Sequence, residues 1–206
     1  MLEKIYYILF QILFWFVLSL VLAGFSFLYF KLYKKFFEFF LFPLFLGIPI
    51  LFRWNYVKKN SQFNSNKNHI AIILANNYYP WRYMTYGFRI DKLIKYFKRK
   101  NLSYKVYSRV NEYDIKKIIN NKNTKGIILI GHGQRHGIKI GKNKIFYYCE
   151  VIKAPKKDFV IQLHCNHFGG FSLVDYLAKD KKKSFVTDKT LTFKSIEKFI
   201  DEYTKQ

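Results

Sequence analysis

The sequence predicts an α/β fold with a mostly parallel sheet, preceded by an N-terminal segment made for a different solvent. Three observations lead there. Apolar runs of strand length at residues 69–75 (HIAIILA), 125–130 (KGIILI) and 159–163 (FVIQL) have the unbroken hydrophobicity of strands covered on both faces. Between them lie stretches whose apolar residues recur at helical spacing. Residues 5–30 contain no Asp, Glu, Lys or Arg, 26 positions in a row.

As a helix rising about 1.5 Å per residue, that uncharged run is roughly 39 Å long, more than the ~30 Å hydrocarbon core of a bilayer requires. It spans with tilt. A cleaved leader would stop its apolar region sooner, at a small-residue site, whereas this run continues through Phe27, Leu28, Tyr29 and Phe30. A second apolar segment, 36–52, is near the shortest length that spans and carries Glu38, Pro43, Gly47 and Pro49. A helical hairpin and an interface-lying segment both fit it. Trp54 beside Arg53 has the character of an interfacial anchor. Residues 1–54 are therefore expected to be a membrane anchor, with one transmembrane helix or a hairpin, and the polar, turn-rich stretch 55–68 a linker.

Residues 69–206 suit one domain. After the strand 69–75, residues 84–100 place Ile90, Leu93, Ile94 and Phe97 on one helical face. A strand over 103–110 and a helix over 111–120, capped by Asn111, come next. Beyond the strand 125–130, residues 137–148 alternate around Gly141 and Lys144 as a hairpin would. The strand 159–163 is followed by a helix over 172–178, a short strand over 184–187 and a closing helix over 192–203 with Phe193, Ile196, Phe199 and Ile200 inward. Alternation of this kind gives three layers, α/β/α, and sites in such sheets form beyond the carboxyl ends of the strands.

Charge is concentrated after the anchor: residues 53–206 hold 32 Lys and Arg against 11 Asp and Glu, a net of +21. Such a domain is drawn to anionic lipid at the cytoplasmic face, so membrane lipid is an expected partner, and the loop-charge rule also favours a cytoplasmic C-terminal domain. Two cysteines, Cys149 and Cys165, make no disulfide framework and agree with a reducing compartment. Tyr78, Tyr79, Trp81, Arg82 and Tyr83 follow the first strand and are expected to line a cleft. No nucleic-acid motif accompanies these aromatics, and no nucleic-acid partner is expected.

The strand-end rule selects Gly131-His132-Gly133 and His164-Cys165. A thiol needs a base or cation nearby to become a nucleophile, and an imidazole across a crevice supplies one. Glycine lets the backbone approach a substrate closely, where a free N–H holds an oxyanion. A strand ending in His-Gly, Ile127 to Gly133, followed by a strand ending in Cys, Phe159 to Cys165, resembles the caspase-like cysteine peptidases, the group of caspases, legumain, gingipains, separase and CHAT domains. The resemblance covers about residues 69–203. It implies a caspase-like fold, His132 as general acid/base, Cys165 as nucleophile, the amides of Gly133 and Cys165 as the oxyanion hole, a protein or peptide substrate, and no cofactor. The chain differs from the family pattern in having His164 before the cysteine and its glycines, Gly169 and Gly170, four and five residues after it.

Other readings of these residues stay open. His132, His136, His164 and His167 with Cys165 have the composition of a zinc site, although His132 and His136 fall on a turn and residues 164 and 165 point opposite ways in a strand. No metal is therefore expected, and His136, His164 and His167 are read as cleft residues. Asp175 either orients His132 or is an ordinary helix residue. Cys149, in an apolar run, is expected to be a small buried hydrophobe. A catalytically inactive anchored module that binds a ligand or partner is the alternative to a cysteine hydrolase.

Overall fold

The computed structural model describes residues 55–64, 67–75, 89–108, 110–141, 144–165, 167–187 and 191–205, and in the N-terminal part residues 11, 14–16, 18–20, 22 and 52. The chain divides into two compact units, Met1–Phe52 and Arg53–Gln206. In the first unit the described residues are helical, with the Trp15 indole donating to the Gln11 amide oxygen at 3.0 Å and Phe16 and Leu20 more than half exposed. Most of the uncharged run and of the segment 36–52 lies outside the described residues, and among those described no helix is long and apolar enough to cross a membrane.

The second unit is α/β, built on a mostly parallel six-stranded sheet. Its strands are β1 (Gln62–Phe63), β2 (His69–Ala75), β3 (Tyr104–Ser108), β4 (Thr124–Gly131), β8 (Phe159–Leu163) and β9 (Phe185–Val186), in the order β1-β3-β2-β4-β8-β9. Only β1 runs antiparallel to its neighbour. A separate antiparallel sheet, β5 (Gly133–Gln134), β6 (Gly137–Lys139) and β7 (Ile145–Tyr147), projects beyond β4. Four α-helices follow in the described residues beyond β2, namely α1 (Ile90–Arg99), α2 (Glu112–Asn120), α3 (Leu173–Leu177) and α4 (Phe193–Tyr203).

Strand alternation divides the core in two. One set, including Ile72, Ile128, Ile130, Ile161 and Leu163, meets α1 through Ile90, Leu93, Ile94 and Phe97, and α4 through Ile196 and Ile200. The other, including Ala71, Ile73, Leu129 and Val160, meets α2 through Ile115 and Ile119, α3 through Leu173 and Leu177, and the hairpin through Ile138, Phe146 and Tyr148. The sheet is thus covered on both faces, as its continuous apolar runs require. Asn111 caps α2 as the sequence predicts, accepting from the Asp114 N–H at 2.9 Å while the Asp114 carboxylate accepts from Asn111 N–H at 3.0 Å.

Two expectations need correction. Residues 55–63 are part of the domain, not a free linker. They are helical at 55–59, Val57 is buried, β1 pairs with β3, and the Tyr104 hydroxyl donates to the Asn60 carbonyl at 2.9 Å. Cys149 is exposed, because the chain leaves β7 in a 3-10 turn, Tyr148–Val151, that buries Tyr148 and Val151 and turns the cysteine outward.

Candidate functional site

The chain places β3 on one side of β2 and then returns to place β4 on the other, so the order reverses between β2 and β4. In open α/β sheets, ligand crevices form beyond the carboxyl ends of strands at such a reversal. Here those ends are Ala75 and Gly131, and His132 is the next residue. The aromatic stretch containing Tyr79, Trp81 and Arg82, expected to wall the same crevice, lies outside the described residues.

β4 and β8 are neighbouring parallel strands, in register from Gly126 with Phe159 to Ile130 with Leu163. Two residues past that last pair stand His132 and Cys165, at matched positions. Both have the strand parity of Ile130 and Leu163, the residues that face α1 and α4. Strand geometry continued past the ladder would send both side chains to the same side of the sheet, one strand spacing of about 4.8 Å apart; the neighbours observed are Leu191 for the Cys165 thiol and Lys139 and His164 for the His132 ring. Residues 131, 133 and 164 have the other parity, and Gly133 and His164 do meet on that side. A methyl group on Gly133 would stand 2.9 Å from His164 Nδ1 and 2.5 Å from the Gly137 carbonyl oxygen. Glycine is the residue that permits this close approach.

His132 stands at the bend between β4 and β5, where partial desolvation of its ring, and then the Lys139 ammonium, lower its pKa. It is thus neutral, and able to take a proton, at neutral pH. Its carbonyl accepts from the Lys139 N–H at 2.8 Å, while Gly133 stands opposite Ile138. Antiparallel pairs alternate between bonded and non-bonded, so the Gly133 N–H is turned away from β6. The Cys165 thiol is half-buried and donates to the Leu191 carbonyl, 3.8 Å away, at the entry to α4.

His164 departs from expectation. It is 1% exposed and so is a core residue, not a cleft residue. Its Nε2 is 2.5 Å from the Tyr148 hydroxyl and its Nδ1 2.9 Å from the Cys165 carbonyl oxygen. One arrangement satisfies both contacts: Tyr148 donates to Nε2, and Nδ1–H donates to Cys165. Burial lowers the His164 pKa to about 4, outweighing the opposing bond to Cys165, with the nearby His132 adding to the lowering. Neutral His164 therefore holds the Cys165 peptide from beneath, while the cysteine side chain leaves on the opposite face. With both ring nitrogens engaged, His164 has no lone pair to offer a metal, and among the described residues no group of His, Cys, Asp and Glu is arranged to hold one.

The loop bearing Cys165 is tied to the β5–β6 turn. His136 Nδ1 donates to the Gly169 carbonyl at 3.1 Å, and its ring stacks on Tyr147 at 5.7 Å. Arg135 donates from its N–H to the His167 carbonyl at 3.4 Å and from Nε to the Gly170 carbonyl at 2.9 Å. The His167 ring is exposed beside Phe168, which is 72% exposed and held with φ +69°, a left-handed conformation costly for an aromatic residue. His136 thus braces the Cys165 loop against the β5–β6 turn, and the His167 ring stands exposed on that loop. Asp175 does not reach His132. Its carboxylate accepts from the Ser172 hydroxyl at 2.7 Å and N–H at 2.8 Å, closing the capping box of α3, with Arg135 3.7 Å away.

Sequence reasoning overlooked Gln162. It is fully buried, donating to the Arg135 carbonyl and accepting from the Leu173 N–H, both at 3.1 Å, so one side chain joins the hairpin, β8 and α3. The signal was present: a single amide in an otherwise apolar FVIQL strand must find partners inside. Tyr148 and Arg135 carried no such signal, since their partners are backbone atoms or residues remote in sequence. Comparison of the chain with protein-family models and with curated proteins gives no match.

Proposed function

We propose that this chain is a membrane-tethered cysteine hydrolase of the caspase-like type, most simply a peptidase, with Cys165 as nucleophile and His132 as its acid/base partner. The supporting observation is the register of β4 and β8, from which His132 and Cys165 continue at matched positions with the same parity, beyond the carboxyl edge and beside the order reversal. His132, neutral at neutral pH, takes the thiol proton; the thiolate attacks a carbonyl carbon, and the N–H groups of Gly133 and Cys165 receive the developing oxyanion. The proton on His132 then goes to the leaving amine, and water hydrolyses the thioester. The tether rests on the uncharged run 5–30, with the exposed apolar side chains of the helical residues Phe16 and Leu20 in support, and the +21 charge of residues 53–206 favours the cytoplasmic face.

One observation favours the second reading, an inactive anchored module for ligand or partner binding: the Cys165 thiol is engaged with the Leu191 carbonyl instead of a base. An acyl-type cysteine probe separates the two. The hydrolase reading expects labelling of the full chain in neutral detergent micelles that is lost in both Cys165→Ala and His132→Ala. Absence of labelling at Cys165 in the unaltered chain, or full labelling in His132→Ala, rejects it.

A further inference from the structure

Away from the His132–Cys165 edge, the outer face of α1 and the residue that ends α4 border an open concavity of about 180 Å³ lined by Lys92, Lys95, Tyr96, Arg99 and Thr204. Positions 92, 95, 96 and 99 are spaced i, i+3, i+4 and i+7, one stripe of a helix, so three cations of α1 face the same space. Arg99 and Lys100 both lie 5.8 Å from the centre of the Tyr96 ring, and Lys95 lies 5.3 Å from that of Tyr56. The opposing charge is Asp201 of α4, 2.7 Å from Lys92; that hydrogen bond outweighs desolvation and holds its carboxyl below the usual range, with Arg89 and Lys205 adding to the effect. Glu197, 3.7 Å from Arg89, is the other carboxylate of α4 near this group. Six cations, Arg89, Lys92, Lys95, Arg99, Lys100 and Lys205, thus gather around two carboxylates. Arg99 also donates from Nη2 to the Thr204 carbonyl at 3.1 Å, which holds its guanidinium at the rim.

Like charges at i, i+3 and i, i+4 repel, and ordinary capping of α4 needs only one of them. The geometry points to a binding site for a phosphate group, in which Lys92 and Lys95 serve as point charges and Arg99 supplies a planar fork of donors. The recognised chemistry is a phosphate monoester or inorganic phosphate, from a lipid headgroup or free in solution. This assignment is independent of any reaction at Cys165.

The test is lysine acylation of the full chain, read residue by residue by mass spectrometry. In neutral detergent micelles, inorganic phosphate replaces chloride at matched ionic strength; in phosphatidylcholine vesicles, phosphatidylinositol 4-phosphate is added without free phosphate. Occupancy is expected to slow acylation of Lys92 and Lys95 by about tenfold at saturation while leaving the exposed Lys182 unchanged. Arg99→Gln, which keeps both reporter lysines, is expected to remove the protection. Protection in the micelle arm alone assigns free phosphate, and protection in the vesicle arm assigns a headgroup. No selective protection in either arm, equal slowing of Lys182, or undiminished protection in Arg99→Gln overturns the site.

Discussion

At the carboxyl edge of the sheet, Gln162 and His164 are buried and neutral, with hydrogen bonds that join separate segments of the chain, while buried Ser172 is satisfied within the cap of α3. At the amino edge the structure buries an amine. Lys157 is wholly shielded from solvent; its Nζ donates to the Asn121 carbonyl at 2.9 Å, and desolvation, helped by the charge on Lys125, lowers its pKa to about 8. One edge uses buried polarity to tie chain segments together; the other tolerates a cation at a cost in stability. Function is expected where polar groups are arranged as donors and acceptors around an open position, and strain of a purely structural kind where a charge is enclosed.

The sharpest way to break this contrast is acid. His164 has a folded-state pKa of about 4 against an ordinary 6.5, so the unfolded chain takes up a proton in that window and the folded chain does not. Stability from this residue is intact above pH 6.5, falls as the pH drops toward 4, and changes little below; the expected loss is about 3 kcal/mol. Denaturant unfolding of the full chain as a function of pH measures it. His164→Gln removes that limb, and parallel acid profiles for the two chains would contradict a neutral, buried His164.

At the amino edge the window is alkaline. Lys157 has a folded pKa of about 8 against 10.5, so its penalty is fully present below pH 8 and is relieved as the pH rises toward 10.5. Relative to Lys157→Met, the unaltered chain should gain about 2–3 kcal/mol across that range. The comparison must be with the variant, because Tyr104 and Tyr203, whose pKa values desolvation raises to about 12, lower stability above pH 10 in both chains. A flat difference would show that Lys157 is solvated.

Gln162→Leu leaves the Arg135 carbonyl and the Leu173 N–H without this partner, at an expected cost of about 2 kcal/mol, and it loosens the Cys165 loop. Its effect on cysteine labelling should exceed that of Lys157→Met, which acts at the far edge. The smallest contrast is between two glycines. A methyl at Gly133 meets the Gly137 carbonyl oxygen at 2.5 Å, whereas one at Gly126 meets the far end of the Phe159 ring. Backbone yields less readily than a side chain, so Gly133→Ala should cost about 2 kcal/mol and Gly126→Ala about 1 kcal/mol, read as melting shifts.

Much of the fold was legible because the information is local. The runs at 69–75, 125–130 and 159–163 are too apolar for anything but two-sided burial, and Asn111 followed by Asp114 announces its own helix start. Alternation also foretold that 164 and 165 would face opposite ways. What stayed hidden depends on remote partners. Gln62 and Phe63 have no strand pattern of their own and become β1 only because β3 offers an edge. The burial of Lys157 requires the Asn121 carbonyl, and His164 reads as a cleft residue until Tyr148 closes over it from a turn sixteen positions earlier.

The proposed pairing of His132 with Cys165 is tested most directly by alkylation of the two cysteines of the full chain, counted by mass spectrometry near neutral pH. Cys149 is exposed and serves as the internal standard, while Cys165 is partly covered. Accessibility alone makes Cys149 the faster. A thiol served by a neutral imidazole reverses that order, so Cys165 should react about tenfold faster or more and fall behind Cys149 in His132→Ala. A slower Cys165 in the unaltered chain, with no change in His132→Ala, would contradict the pairing.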